Sequence, residues 1–484
     1  MSLPPLPMTV FEEYMLLDGT PAYPMECYCR LRFSGGFHHE TFERVLAEIL
    51  TRNPFLYAHA RETKPSRYVW EIPEFGPNHY EKVSHTNPNF SRVMGVRVYW
   101  LTGTCRGDYP DEVREPLDIF HEGMVRYYLV EEKSADGTVL RTDWTIKCHH
   151  CASDGKGMFQ FIGEFLTEYA RQQGVTLPTG PALPPTQPEM LAKRHHYGRT
   201  RWERAKILLT CIRHLPRSLK LIGRGIQPIV DEPENDRQVT EKMDRPAMGF
   251  PKILFRLLDA QKTTDLLARC RKKHATFNDI MLQSVWDGTK SWRQKHPDHA
   301  YSGQNPWIRI AVPANLRHPR QTNLPICNVV SMLFCDRKET DIDTSARFLS
   351  GIIQEMAHVK KYSLGFLLIQ SLKDARFVCG NLRKSVKMCS CWTTMVLTNI
   401  GPVLTPKILA FPRTETQKIQ IGTLILDEID SCSPIRPQTN VSICCITYAN
   451  TMNLSLVYDN RLMSEEEADS YFTEVMNSME TILE

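Results

Sequence analysis

His149 and His150 stand five and four residues ahead of Asp154 in the segment His149-His150-Cys151-Ala152-Ser153-Asp154-Gly155. These residue types suit proton transfer. An alcohol is a poor nucleophile until its proton leaves, and an amine must lose one as it attacks. A neutral imidazole accepts such a proton near neutral pH. A positioned base of this kind is worth ~10²–10⁴ in rate, or roughly 3–5 kcal/mol of barrier. Each residue also has a plainer role. His150 could be a satisfied core histidine, and His149, on the opposite strand face, packs. Asp154 could cap the helix that starts after it. Gly155 permits a tight turn or a close backbone approach.

The same stretch holds a Cys-x-x-Cys, Cys148 to Cys151. A tetrahedral metal site needs four converging ligands. In an extended strand alternate side chains point to opposite faces, so Cys148 and His150 part from His149 and Cys151. No second Cys-x-x-Cys completes a set, and no metal is expected. The chain also lacks Gly-x-Ser-x-Gly, Gly-x-Gly-x-x-Gly, Gly-x-x-x-x-Gly-Lys and His-Glu-x-x-His. Serine-elbow hydrolysis, dinucleotide or P-loop binding and zincin chemistry therefore have no signal.

The motif needs elements to position it. A strand over Asp143–Lys147 runs into it. A helix over Gly155–Ala170 leaves it, with Met158, Phe161, Ile162, Phe165 and Tyr169 on one side. A helix over 38–50 precedes strands at Tyr68–Ile72, Gly95–Leu101, Val125–Glu131 and Thr142–His149. The second half repeats the mixture. Strands are expected at Ile253–Leu258, Trp307–Val312, Asn328–Phe334, Thr393–Thr398, Lys418–Asp427, Val441–Ala449 and Thr451–Tyr458. Helices are expected at Thr263–His274, Phe277–Arg293, within 341–385, and at 464–483. Two α+β halves follow, 1–171 and 251–484.

Residues 172–250 read as the linker. They open with Pro178, Pro181, Pro184, Pro185 and Pro188. A basic stretch over 193–224 has Glu203 as its only acid, and 231–244 then carries six acids. The plain reading of the basic stretch is a solvated helix crossing between the halves. Docking on a membrane surface and attraction of a phosphorylated donor are the functional alternatives.

Composition narrows the class. The chain has 484 residues, 42% of them hydrophobic and 24% charged, which excludes wholesale disorder. A net charge of +4 gives no drive toward nucleic acid, so no nucleic-acid partner is expected. No apolar run is long enough to span a bilayer, and the N-terminus carries no secretion signal. The 15 dispersed cysteines read as reduced thiols in a cytoplasmic protein.

The seven-residue motif resembles the His-His-x-x-x-Asp-Gly signature of condensation-domain and chloramphenicol-acetyltransferase-like acyltransferases. The look is nearest to stand-alone alcohol acetyltransferase-like members. Weaker landmarks keep the family order: 11–18, Glu115-Pro116-Leu117-Asp118, Thr276-Phe277-Asn278-Asp279-Ile280, Val312-Pro313-Ala314-Asn315-Leu316-Arg317 and Thr398-Asn399-Ile400-Gly401-Pro402. The resemblance implies an α+β fold of two chloramphenicol-acetyltransferase-like lobes, a V-shaped pseudo-dimer with a central tunnel. It makes His150 the catalytic residue and Asp154 a structural one paired with an arginine. It implies direct attack on an activated thioester, without an acyl-enzyme. It implies no bound cofactor, acyl-CoA as co-substrate, small-molecule donor and acceptor, and a monomer. Thr398 and Asn399 either help bind the developing oxyanion or form an ordinary strand end.

Two departures qualify it. Where many relatives carry an arginine after the early helix, this chain has Tyr57 in Asn53-Pro54-Phe55-Leu56-Tyr57. Asp154 then needs another partner, with Arg61, Arg126 and Arg317 as candidates. The Asp-Phe-Gly-x-Gly element of peptide-forming domains is missing, and no carrier or adenylation module is attached. A carrier-protein-dependent enzyme and a non-catalytic relative remain the alternatives.

Overall fold

The computed structural model describes residues 3–64, 67–75, 80–83, 90–105, 109–216, 224–231, 252–299, 306–383, 386 and 391–484. The acidic run beyond Asp231 and the end of the basic stretch, 217–223, lie outside the described residues.

Two large sheets carry the architecture. The first has eight strands in the order Gln420–Ile421, Leu424–Cys432, Glu26–Ser34, Val139–His149, Val125–Lys133, Val96–Thr102, Phe90–Val93 and Tyr80–Val83. The second has six, in the order Lys252–Leu258, Thr451–Tyr458, Val441–Tyr448, Met395–Pro402, Trp307–Asn315 and Val330–Lys338. A small sheet joins Leu6–Pro7, Arg67–Glu71 and His59–Lys64. This is the two-lobed α+β architecture expected.

Each lobe buries a pair of helices. In the first, His39–Arg52 packs on Gly155–Gln172. Phe42 and Phe165 approach to 4.7 Å between ring centroids, and Trp144 of the sheet lies 4.6 Å from Phe165. In the second, Phe277–Lys295 packs on Glu465–Leu483. Its start is fixed by a capping box: Thr276 Oγ1 accepts from the Asp279 N–H at 3.2 Å, and Asp279 Oδ2 accepts from the Thr276 N–H at 2.9 Å. Gly288 sets the spacing, since a Cβ there would meet Val475 backbone at 2.7 Å.

One strand breaks the symmetry. Leu424–Cys432 belongs by sequence to the second half but pairs antiparallel with Glu26–Ser34 of the first sheet. Charge holds it there. Arg30 Nε donates to Asp430 Oδ2 at 3.1 Å and Arg32 Nη1 to Glu428 Oε2 at 2.9 Å. The strand expected over Lys418–Asp427 is therefore two, turned at Gly422 with φ +60°. Glu26–Ser34 is an additional strand beyond those expected.

In the linker region 175–187 carries no helix or strand, Pro188–His196 makes 3-10 turns and Arg201–Arg213 is an α-helix. The basic stretch is not solvated throughout. Arg194 is buried, its guanidinium bound to Glu12 Oε1 at 2.7 Å and Oε2 at 2.6 Å. Every described cysteine is a free thiol, and no described helix is long and apolar enough to cross a membrane.

Candidate active site

The strand Val139–His149 delivers the two histidines to the junction of the lobes. The turn after it is pinned on both sides: the His149 N–H donates to Met124 O at 2.9 Å and the His150 N–H to Met25 O at 2.8 Å. His150 Nδ1 lies 3.0 Å from Ser153 O. A carbonyl oxygen only accepts, so the hydrogen-bond network assigns the ring proton to Nδ1. In the neutral ring of this tautomer Nε2 keeps its lone pair, the form a general base requires.

Asn328 steadies this arrangement from the other half of the chain. Its Nδ2 donates to His150 O at 2.7 Å, and its Oδ1 accepts from the Val330 N–H at 3.0 Å. The second contact fixes which way the amide points. Nδ2 also lies 3.3 Å from His150 Nδ1, a donor facing a donor, and its remaining hydrogen points at Met15 Sδ at 3.5 Å.

Asp154 caps the helix Gly155–Gln172, with Oδ1 accepting from the Gly157 N–H at 2.9 Å. Arg317 Nη1 donates to the same oxygen at 2.6 Å, and the Val329 N–H donates to Oδ2 at 2.8 Å. Burial alone would raise the Asp154 pKa. The adjacent Arg317 charge and these hydrogen bonds outweigh it, and the carboxyl sits below its ordinary value. Of the three candidate arginines, Arg317 is therefore the partner. Arg61 instead meets Glu71 on the surface, 2.9 Å away. Arg126 is spent on the carbonyls of Glu115 at 2.9 Å and Pro116 at 3.1 Å, and on Glu122. Tyr57 is buried, its ring 5.6 Å from Phe75.

His149 is buried and accepts at Nδ1 from the Cys151 N–H at 3.3 Å. Burial first, then the neighbouring His150 and Lys147 charges, push its pKa down to about 3, so it is neutral. The thiols of Cys148 and Cys151 donate to His149 O at 3.4 Å and Glu12 O at 3.3 Å. Among the described residues no cluster has the makings of a metal site.

A cavity of about 140 Å³ opens at His150, walled by both halves. Thr398 and Asn399 line it from the strand Met395–Pro402, which bulges between Asn399 and Gly401. Met15, Cys27, Met332 and Cys432 contribute an apolar wall. Gly155 faces Ile400, whose side chain lies 3.3 Å from where a Cβ would stand. The transferred strand thus matters to the site, because it brings Cys432 to the cavity alongside Cys27.

Three contributors lie outside the sequence expectation. Asn328 has no motif around it. Gly157 is a second glycine of the helix start, where a Cβ would meet Ser153 Oγ at 2.7 Å and Arg317 Nη2 at 3.2 Å. Cys27 sits on Glu26–Ser34, whose alternation of Cys27, Cys29, Leu31 and Phe33 with polar neighbours is the signal that could have found it.

No family model and no curated relative matches the chain. Solved structures match it over its full length. The first condensation domain of the calcium-dependent antibiotic synthetase is 13% identical with a TM-score of 0.62, covering 100% of this chain and 98% of that one. TRI3, a trichothecene 15-O-acetyltransferase from Fusarium sporotrichioides, is 10% identical with a TM-score of 0.65, covering 98% and 95%. The starter condensation domain of rhizomide synthetase RzmA, solved as a mutant in complex with C8-CoA, is 11% identical with a TM-score of 0.62, covering 99% and 95%. The chain has the fold of the condensation domains and chloramphenicol-acetyltransferase-like acyltransferases.

Proposed function

We propose that the protein is an acyltransferase that moves an acyl group from an acyl-CoA thioester to an alcohol or amine, with His150 as general base. The observation that carries this reading is the contact between His150 Nδ1 and Ser153 O, 3.0 Å, which leaves Nε2 basic beside a cavity walled by both lobes. The acceptor attacks the thioester carbonyl while Nε2 takes its proton. Charge develops on the carbonyl oxygen, and Thr398 and Asn399 are the residues assigned to meet it. Collapse of the tetrahedral intermediate breaks the C–S bond, and the imidazolium returns the proton to the departing thiolate. Asp154 and Gly155 hold the loop and take no proton, and His149 packs behind it. No acyl-enzyme forms, because the thioester is already activated. The reading makes the protein a cytoplasmic monomer with no bound cofactor.

The names of two structural neighbours support it: one is an O-acetyltransferase, and another was solved with an acyl-CoA. A thiol-release screen of acyl-CoAs against mixed alcohols and amines, read by mass spectrometry, tests it. Turnover with free acyl-CoA that disappears in His150→Ala is the expected result. Turnover only with an acylated carrier protein replaces the donor. Binding without turnover of any donor rejects the enzyme.

A further inference from the structure

We propose that the helix Arg201–Arg213 docks this protein on an anionic lipid surface. An ordinary surface helix turns its apolar stripe inward. This one turns it out. Trp202 is 68% exposed, Leu209 65%, Ile212 58% and Leu208 43%, with Leu215 just beyond the helix at 45%. At ~100° per residue the four side chains on the helix share one arc of about 120°. The opposite side carries Ile207, packed on the core, with the buried Cys211 at its flank, and the helix packs on Phe366–Cys379, so it is held by its back.

Charge selects the partner. Arg201, Lys206 and Arg213 are exposed on or beside the stripe, and the Lys206 ammonium stands 5.3 Å from the Trp202 ring. Glu203, the only acid from 193 to 216, is taken up by Arg320 at 2.8 Å. Apolar side chains including a tryptophan, bordered by cations without a competing acid, match the boundary between anionic headgroups and acyl chains. The acidic run 231–244 matches the charge but offers only Val239 and Met243 to cover five large side chains. None of the stripe residues lines the cavity, so the proposal stands apart from acyl transfer.

Cosedimentation of the full chain with vesicles tests it. Binding to phosphatidylcholine vesicles containing roughly one-third phosphatidylserine should exceed binding to pure phosphatidylcholine at least tenfold, and should fall with salt. A triple variant, W202S/L209S/I212S, should lose at least tenfold in binding with its circular dichroism and melting unchanged. R201E/K206E/R213E should do the same. Tryptophan emission should shift to the blue on vesicle addition, less so in Trp202→Phe. Absence of wild-type binding to anionic vesicles overturns the proposal. So does full binding by the serine variant, or a wild-type dimer that the serine variant dissolves while neither form binds vesicles.

Discussion

Arg317 Nη1 lies 2.6 Å from Asp154 Oδ1, so a residue of the second lobe holds the cap of the helix that follows His150. The same guanidinium donates through Nη2 to Cys327 O at 2.8 Å, one residue before Asn328. His150 and the helix start after it are thus held from both halves of the chain at once.

Removing Arg317 strands a buried carboxylate. Arg317→Ala should cost on the order of 3–5 kcal/mol in urea unfolding. The pH dependence has a definite sign. Asp154 is held below its ordinary value, so its contribution is complete above the unfolded carboxyl value, near ~4. It is lost as pH falls through the lower folded value. In Arg317→Ala the acid transition should move to higher pH. An unchanged transition would remove the pair from the account.

His150→Ala should lower kcat by ~10²–10⁴ while the unfolding transition stays within a few degrees of wild type. The residue is only part-buried and its ring bonds to a local carbonyl, so the fold does not depend on it. Rapid quench should show no acyl-enzyme in either protein. A pre-steady-state burst of covalent adduct would contradict direct attack.

Asn328→Ala should separate positioning from binding. The 2.7 Å bond to His150 O is lost, and the imidazole is free to drift from its productive placement. A drop in kcat of roughly tenfold to a hundredfold with little change in KM is the expected split. Loss confined to KM would assign Asn328 to substrate contact instead.

Gly157→Ala would ordinarily stabilise a helix by about 1 kcal/mol. Here the new Cβ meets Ser153 Oγ at 2.7 Å and Arg317 Nη2 at 3.2 Å. Crowding of this kind costs roughly 1–3 kcal/mol. The variant should therefore be destabilised, and it should slow catalysis by disturbing Ser153, whose carbonyl sets the tautomer of His150. A net gain in melting temperature would show that the loop gives way freely.

Local pattern made the lobes legible. The strand over 451–458 and the start of the helix at Phe277 fall where the local sequence pattern places them, because that signal acts within a few residues. The placement of Leu424–Cys432 in the first sheet was not legible. Its partners Arg30 and Arg32 lie nearly 400 residues away, and no local pattern encodes that pairing. The arginine beside Asp154 behaves the same way. Arg61, Arg126 and Arg317 look alike in sequence, and only the fold, by bringing Arg317 Nη1 within 2.6 Å of Asp154 Oδ1, separates them. His149 was legible as a packing residue because a strand alternates its faces.

That packing has a measurable consequence. Buried His149 has its pKa pushed down to about 3, whereas the unfolded chain takes the ordinary imidazole value near ~6.5. Above the unfolded value neither state is charged, and the group contributes no slope. As pH falls from there toward the folded value, the unfolded chain binds a proton that the native protein refuses. Native stability should fall by as much as about 1.4 kcal/mol per pH unit, or about 2–3 kcal/mol between pH 6.5 and 4.5. His149→Gln removes the titrating group and should flatten that limb, even if its stability at pH 8 is lower because the bond from the Cys151 N–H is disturbed. Urea titrations of both proteins from pH 8 to 4.5 decide the matter: curves that converge toward acid support a neutral, buried His149, and parallel curves refute it.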